Sequence, residues 1–106
     1  MNEEEEIKTI LDVLELTGLP CAYSHFKTKQ EPPYLVYIGA GQFDFSADNS
    51  YIHKRNLYQV EYYFTLKDES LEDTIETTLL NAGYLYDKSE DIFIDDEGVF
   101  VIYYTV

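Results

Sequence analysis

The clearest periodic stretch of the chain runs from Asn56 to Leu66, where Tyr58, Val60, Tyr62, Phe64 and Leu66 occupy alternate positions. Successive side chains of an extended backbone point to opposite sides of a sheet. These five therefore share one face, and Leu57, Gln59, Glu61, Tyr63 and Thr65 share the other. Aromatic and β-branched residues at a period of two predict a strand on a half-buried, pleated surface, and its length predicts a central one.

Elsewhere the spacing lengthens. Ile7, Ile10, Leu11 and Leu14, with Val13 beside them, form one helical stripe within Glu3 to Leu16. Glu3 to Glu6 favour the positive end of that helix dipole, and Gly18 followed by Pro20 ends the helix. A second stripe, Leu71, Ile75, Leu79 and Ala82, is capped by Asp68 or Ser70 and stopped by Gly83, and the other face of that helix shows Glu69, Glu72, Asp73 and Glu76.

Between and after the helices lie extended segments: Leu19 to Phe26, Tyr34 to Gly39, Tyr84 to Tyr86, Ile92 to Ile94 and Val99 to Val106. Paired prolines keep the polar Lys27 to Pro33 connection out of a helix. Asp95-Asp-Glu-Gly98 turns the last hairpin, with Gly98 where a positive φ is wanted. Gly39-Ala-Gly41 lacks the third glycine and the Lys-Ser/Thr of a phosphate loop, so these glycines read as bulge or turn formers. Residues 42 to 55 read as one long irregular connection carrying Phe43, Phe45, Tyr51 and Ile52, and a connection of that length in a compact domain is a candidate for function.

The resulting order, α-β-β-β-α-β-β, predicts a single α+β domain over residues 1–106, a mainly antiparallel sheet with two helices on one face. Two short helices cover only that face. The other, with Leu57 and Tyr63 and either Val99, Val101 and Tyr103 or Phe100, Ile102 and Tyr104, is left to meet another molecule or to stand as a one-sided sheet of half-exposed tyrosines.

Composition sharpens this picture in one respect. With 21 Asp plus Glu against 7 Lys plus Arg, the net charge is -14, a field that disfavours wrapping nucleic acid through its phosphates. The 11 tyrosines and 45% hydrophobic content nevertheless argue for a folded chain. The opening Met-Asn-Glu-Glu-Glu-Glu is the reverse of a signal sequence, and no apolar run approaches the ~20 residues of a membrane span, so a cytoplasmic protein is expected.

No catalytic constellation is visible. His25 and His53 stand apart, and Cys21, the lone cysteine, reads as a packed thiol. Asp44, Ser46, Asp48 and Ser50 alternate like calcium ligands, but Asn49 holds the glycine position and Arg55 the position of the twelfth-residue glutamate, so an EF-hand is rejected. No catalytic residue, cofactor or metal is expected. Lys27, Lys29, Lys54 and Arg55 are the local basic clusters, placed in connections.

Pro33-Tyr-Leu-Val-Tyr37, Ala47-Asp-Asn49, Tyr58-Gln-Val-Glu-Tyr62 followed by Lys67-Asp68, Gly83-Tyr-Leu-Tyr-Asp-Lys-Ser-Glu-Asp91 and Tyr103-Tyr104 together resemble the small tail-completion or tail-terminator (head–tail joining) proteins of long-tailed phages and Gram-positive prophages. The resemblance runs over nearly the whole chain, and its motifs are structural rather than chemical. It implies a hexameric ring without enzymatic activity, sited between tail tube and head connector. Such a ring would be assembled in the bacterial cytoplasm, become part of the virion neck, and let DNA through its lumen without specific binding. The candidate interface on this reading is the 42–55 connection, through Phe43, Phe45, Tyr51, Ile52, His53, Lys54 and Arg55, together with Leu57 and Tyr63 of the sheet. The alternative is a small acidic DNA mimic or inhibitor that occupies a nucleic-acid-binding protein.

Overall fold

A computed structural model describes residues 9–46 and 52–106, with side chains for 9–42 and 56–106. Glu3 to Glu6, Ile7, Tyr51 and the Ala47-Asp-Asn49 segment lie outside the described residues. Helix α1 (Ile10–Glu15) starts at Thr9, whose hydroxyl accepts from the Asp12 amide at 3.1 Å while Asp12 accepts from the Thr9 amide at 3.3 Å. This reciprocal capping box satisfies two of the otherwise orphaned helix donors. The helix turns Ile10, Val13 and Leu14 inward and ends before Gly18, whose φ of 85° suits the chain reversal.

Six strands follow: β1 (Cys21–Tyr23), β2 (Tyr34–Ser46), β3 (Ile52–Phe64), then after helix α2 (Glu69–Asn81) β4 (Asp87–Lys88), β5 (Ile92–Ile94) and β6 (Val99–Thr105). They form one sheet in the order β1-β2-β3-β6-β4, with β5 also paired to β6. Only β1 and β2 run parallel. The architecture is thus mixed α and β with a mostly antiparallel sheet, as the pattern of the sequence predicts. The added strand, β4, lies within the polar 87–91 stretch, and Tyr84 to Tyr86 is not a strand.

The even residues of β3 do face the helices. Val60, Tyr62 and Phe64 form a core with Leu35 of β2, Ile102 and Tyr104 of β6, and Ile10, Val13, Leu14, Ile75 and Leu79 of the two helices. Each such apolar side chain contributes about 1.5–3 kcal/mol when fully buried. Leu66 departs from the expectation. It is 81% exposed, because β3 stops at Phe64 and the chain turns toward α2.

The larger correction concerns the 42–55 connection, because its described residues, 42–46 and 52–55, are strands rather than a loop. β2 and β3 remain paired from Gln42↔Asn56 out to Ser46↔Ile52, so Lys54 and Arg55 belong to a strand rather than a connection. The period of two in Gln42-Phe-Asp-Phe-Ser46 was hidden by an irregularity. Between Gly39↔Tyr58 and Gln42↔Asn56, β2 contains two residues where β3 contains one, and Gly41 takes a φ of 96°. Such a bulge reverses the parity of the strand that bears it. Positions 43 and 45 consequently pair with 55 and 53, which have the same parity as Leu57 and Tyr63.

Candidate functional site

The odd positions of β3 face away from the helices, in cross-strand rows with β2 and β6. Tyr34, Tyr63 and Val101 form one row, and Val36, Glu61 and Tyr103 the next. Of the two alternatives for β6, the residues on this face are therefore Val99, Val101 and Tyr103. They are not simply open to solvent: Val36 and Val101 are buried, while Tyr34, Glu61, Tyr63 and Tyr103 are half-buried. The chain roofs part of the face with the connection between β1 and β2, from which Phe26 sets its ring edge-on to Tyr34 at 5.2 Å.

Between that connection and the β5–β6 turn lies a groove of about 690 Å³. Tyr34, Val36, Tyr63 and Val99 line it from the sheet, and Lys29, Glu31, Asp96 and Glu97 supply its charged side chains. Tyr34 and Tyr63 stack with centroids 5.1 Å apart. Glu61 accepts from the Tyr63 hydroxyl at 2.8 Å and from Gln59 Nε2 at 3.0 Å, so the carboxylate in the middle of this face is well satisfied. Burial first, then the bond to Glu61, pushes the Tyr63 hydroxyl well above its ordinary pKa. Tyr34 is raised by burial and then by the charges of Glu97 and Glu61.

A second polar system holds α2 to the sheet on the opposite face. Glu72 is only 2% exposed, with Lys67 Nζ 2.7 Å from one carboxylate oxygen and Lys88 Nζ 3.0 Å from the other. Lys67 also reaches Asp91 at 3.1 Å. Lys88 extends the chain of charges to Glu76 at 2.7 Å, and Glu76 accepts from the Tyr104 hydroxyl at 2.7 Å and from Tyr86 at 3.2 Å. Burial alone would raise the Glu76 carboxyl, but the bonds from Lys88 and Tyr104 outweigh it and hold the group below the usual carboxylate value. Of the acidic residues beside the apolar stripe of α2, Glu72 and Glu76 thus turn toward the sheet. Their partners come from outside the helix stripe, and the i, i+4 spacing was the available signal that they could share one cation.

The sequence-derived candidates divide in the structure. Phe43, Phe45, His53, Arg55, Leu57 and Tyr63 share one strand parity, whereas Ile52 and Lys54 have the other. Tyr63 is in the groove and Leu57 is half-buried at the root of the ribbon. Missed by sequence reasoning were the contributions of Tyr34 and of the 24–33 and 95–98 segments, which meet only through the parallel β1–β2 crossover and the β5–β6 turn.

The groove can stack through Tyr34 and Tyr63 and hydrogen-bond through its polar lining. His25 lies along it with its Nδ1 3.1 Å from the hydroxyl of its neighbour Ser24, both residues exposed. Cys21 donates to the Leu19 carbonyl at 3.1 Å, and burial followed by the charge of Glu15 pushes its thiol up to about 11, away from nucleophilic thiolate. Among the described residues no cluster of His, Cys, Asp and Glu could hold a metal ion, and no helix is long and apolar enough to cross a membrane. No protein-family model matches the chain, and no curated protein matches it.

Proposed function

We propose that this chain is a structural tail-completion protein of a long-tailed phage or prophage, forming a ring that ends the tail tube and joins it to the head connector. The observation that carries the reading is the β2–β3 ribbon. β1 pairs with β2 only through Tyr37, and β6 meets β3 only from Tyr58 onward, so among the described residues both outer edges of the ribbon beyond these points have no strand partner. From Ile38 to Ser46 the ribbon spans on the order of 30 Å, and the molecule is correspondingly elongated at 50 × 31 × 28 Å. Unpaired edges of this length are a liability in a solitary domain and an asset in an assembly.

The second reading is the acidic mimic. Such a mimic presents its carboxylates to solvent, as most of the described ones here do, but Glu72 and Glu76 are turned into the protein and paired with Lys67 and Lys88. For a ring around exiting DNA, the remaining excess of acid is useful because it repels phosphates. Deleting the gene from its phage and imaging the particles by electron microscopy tests the proposal: overlong tails, or heads and tails left unjoined, are expected, and normal finished particles would refute it.

A further inference from the structure

We propose that the groove between the 24–33 connection and the 95–98 turn receives the outer end of the β2–β3 ribbon from a second copy of this chain. The inference rests on the ring reading and names the contact through which such a ring would be built.

The first argument is distance. The groove lies where β2 begins and β3 ends, at Tyr34 and Tyr63, while the described pairing of the ribbon reaches out to Ser46 and Ile52. Twelve residues of extended chain from Tyr34 to Ser46 span about 40 Å. A ribbon therefore cannot enter its own groove, and donor and receiver sit at opposite ends of the same two strands. A contact between unlike surfaces of identical chains propagates head to tail, closing into a ring or continuing as a filament.

Charge supplies the second argument. The groove sets Glu31, Asp96 and Glu97 against the single ammonium of Lys29, over a floor that includes two tyrosine rings and two valines. A segment suited to it combines positive charge with apolar residues. The β3 end of the ribbon has the sequence Ile52-His-Lys-Arg55, with the one adjacent pair of basic residues in a chain of net charge -14, and positions 53 and 55 pair with Phe45 and Phe43. Lys67 and Lys88 are already engaged by Glu72, Glu76 and Asp91. Complementary charge of this kind fixes which surfaces meet and makes the contact sensitive to salt.

Sedimentation velocity of the full-length protein tests the proposal with two charge-reversed forms. One combines Asp96→Lys with Glu97→Lys, both at exposed turn positions, and the other combines Lys54→Glu with Arg55→Glu. The wild type is expected to assemble, with a dissociation constant that rises roughly tenfold or more from low to high salt. Each variant alone is expected to be monomeric, and an equimolar mixture to assemble again, because every ribbon then meets a groove of opposite charge. Recovery in the mixture also shows that both variants are folded. Should one of them fail to fold, judged by circular dichroism, the salt dependence of the wild type decides. A wild type that stays monomeric, assembly indifferent to salt, a variant that assembles alone as the wild type does, or two folded variants whose mixture stays monomeric would each overturn the proposal. Normal tails from a gene-deleted phage would instead sink the tail reading and leave the copy-to-copy contact standing.

Discussion

The Tyr63 hydroxyl donates a 2.8 Å hydrogen bond to Glu61, two residues away on the same face of β3. One strand thus places a tyrosine ring along the groove and a carboxylate that fixes its orientation. Tyr63→Phe keeps the stacking on Tyr34 and removes the bond, so urea unfolding is expected to register a loss of about 1 kcal/mol, since the half-buried Glu61 keeps Gln59 and reaches solvent. Tyr63→Ala should cost a further 1 kcal/mol or so through the lost ring contact. Equal effects from the two substitutions would show that the stacking is inert.

At the other face, Glu72 is the centre of the charge network and Lys67 is its periphery. Glu72→Gln leaves two ammonium groups without their shared anion, and a loss of about 2 kcal/mol in denaturant unfolding is expected. Lys67→Ala should cost under about 1 kcal/mol, because that side chain is 43% exposed and its ion pairs are screened by water. A reversed ranking would mean that Glu72 is not the group on which the network depends.

The directions of the pKa shifts set the pH range of stability. Glu76 has a lowered folded pKa, so its contribution is present above the ordinary carboxyl value of 4.5 and is lost as pH falls through the folded value. Tyr62 is raised to about 12 by burial and then by the charges of Glu72 and Asp68, and Tyr63 and Tyr104 are raised by burial and then by bonds to Glu61 and Glu76. Unfolded tyrosines ionise first, so stability is fully present below pH 10 and falls above it, toward the raised folded values. Unfolding free energy measured from pH 3 to 11 should therefore drop at both ends. Glu76→Gln should flatten the acid limb, and an unchanged limb in that variant would contradict the assignment.

The sequence made the helix-facing side of the sheet legible because period and burial agree there: Val60, Tyr62 and Phe64 alternate without interruption, and Asp68 caps α2 as its residue type suggests. It hid the ribbon because two residues oppose one at Ala40 and Gly41, so an unbroken strand has a broken pattern. It hid the groove for a different reason. The residues lining it lie far apart along the chain, and no local pattern announces that the turn bearing Asp96 and Glu97 faces the connection bearing Lys29 and Glu31 across the β-sheet. The i, i+4 spacing of Glu72 and Glu76 signals a shared cation, but not that Lys88 supplies it, because Lys88 arrives on a two-residue strand with no apolar signature.

The most direct test of the tail-completion account is complementation of a gene-deleted phage with a chain whose ribbon is removed. Replacing residues 40–57 with Asn-Gly joins Gly39 to Tyr58, which already face each other across the strands, through a favoured two-residue turn. The account predicts a folded, monomeric protein and particles with overlong tails or unjoined heads and tails in electron micrographs. Finished particles with tails of normal length from that shortened chain would contradict it.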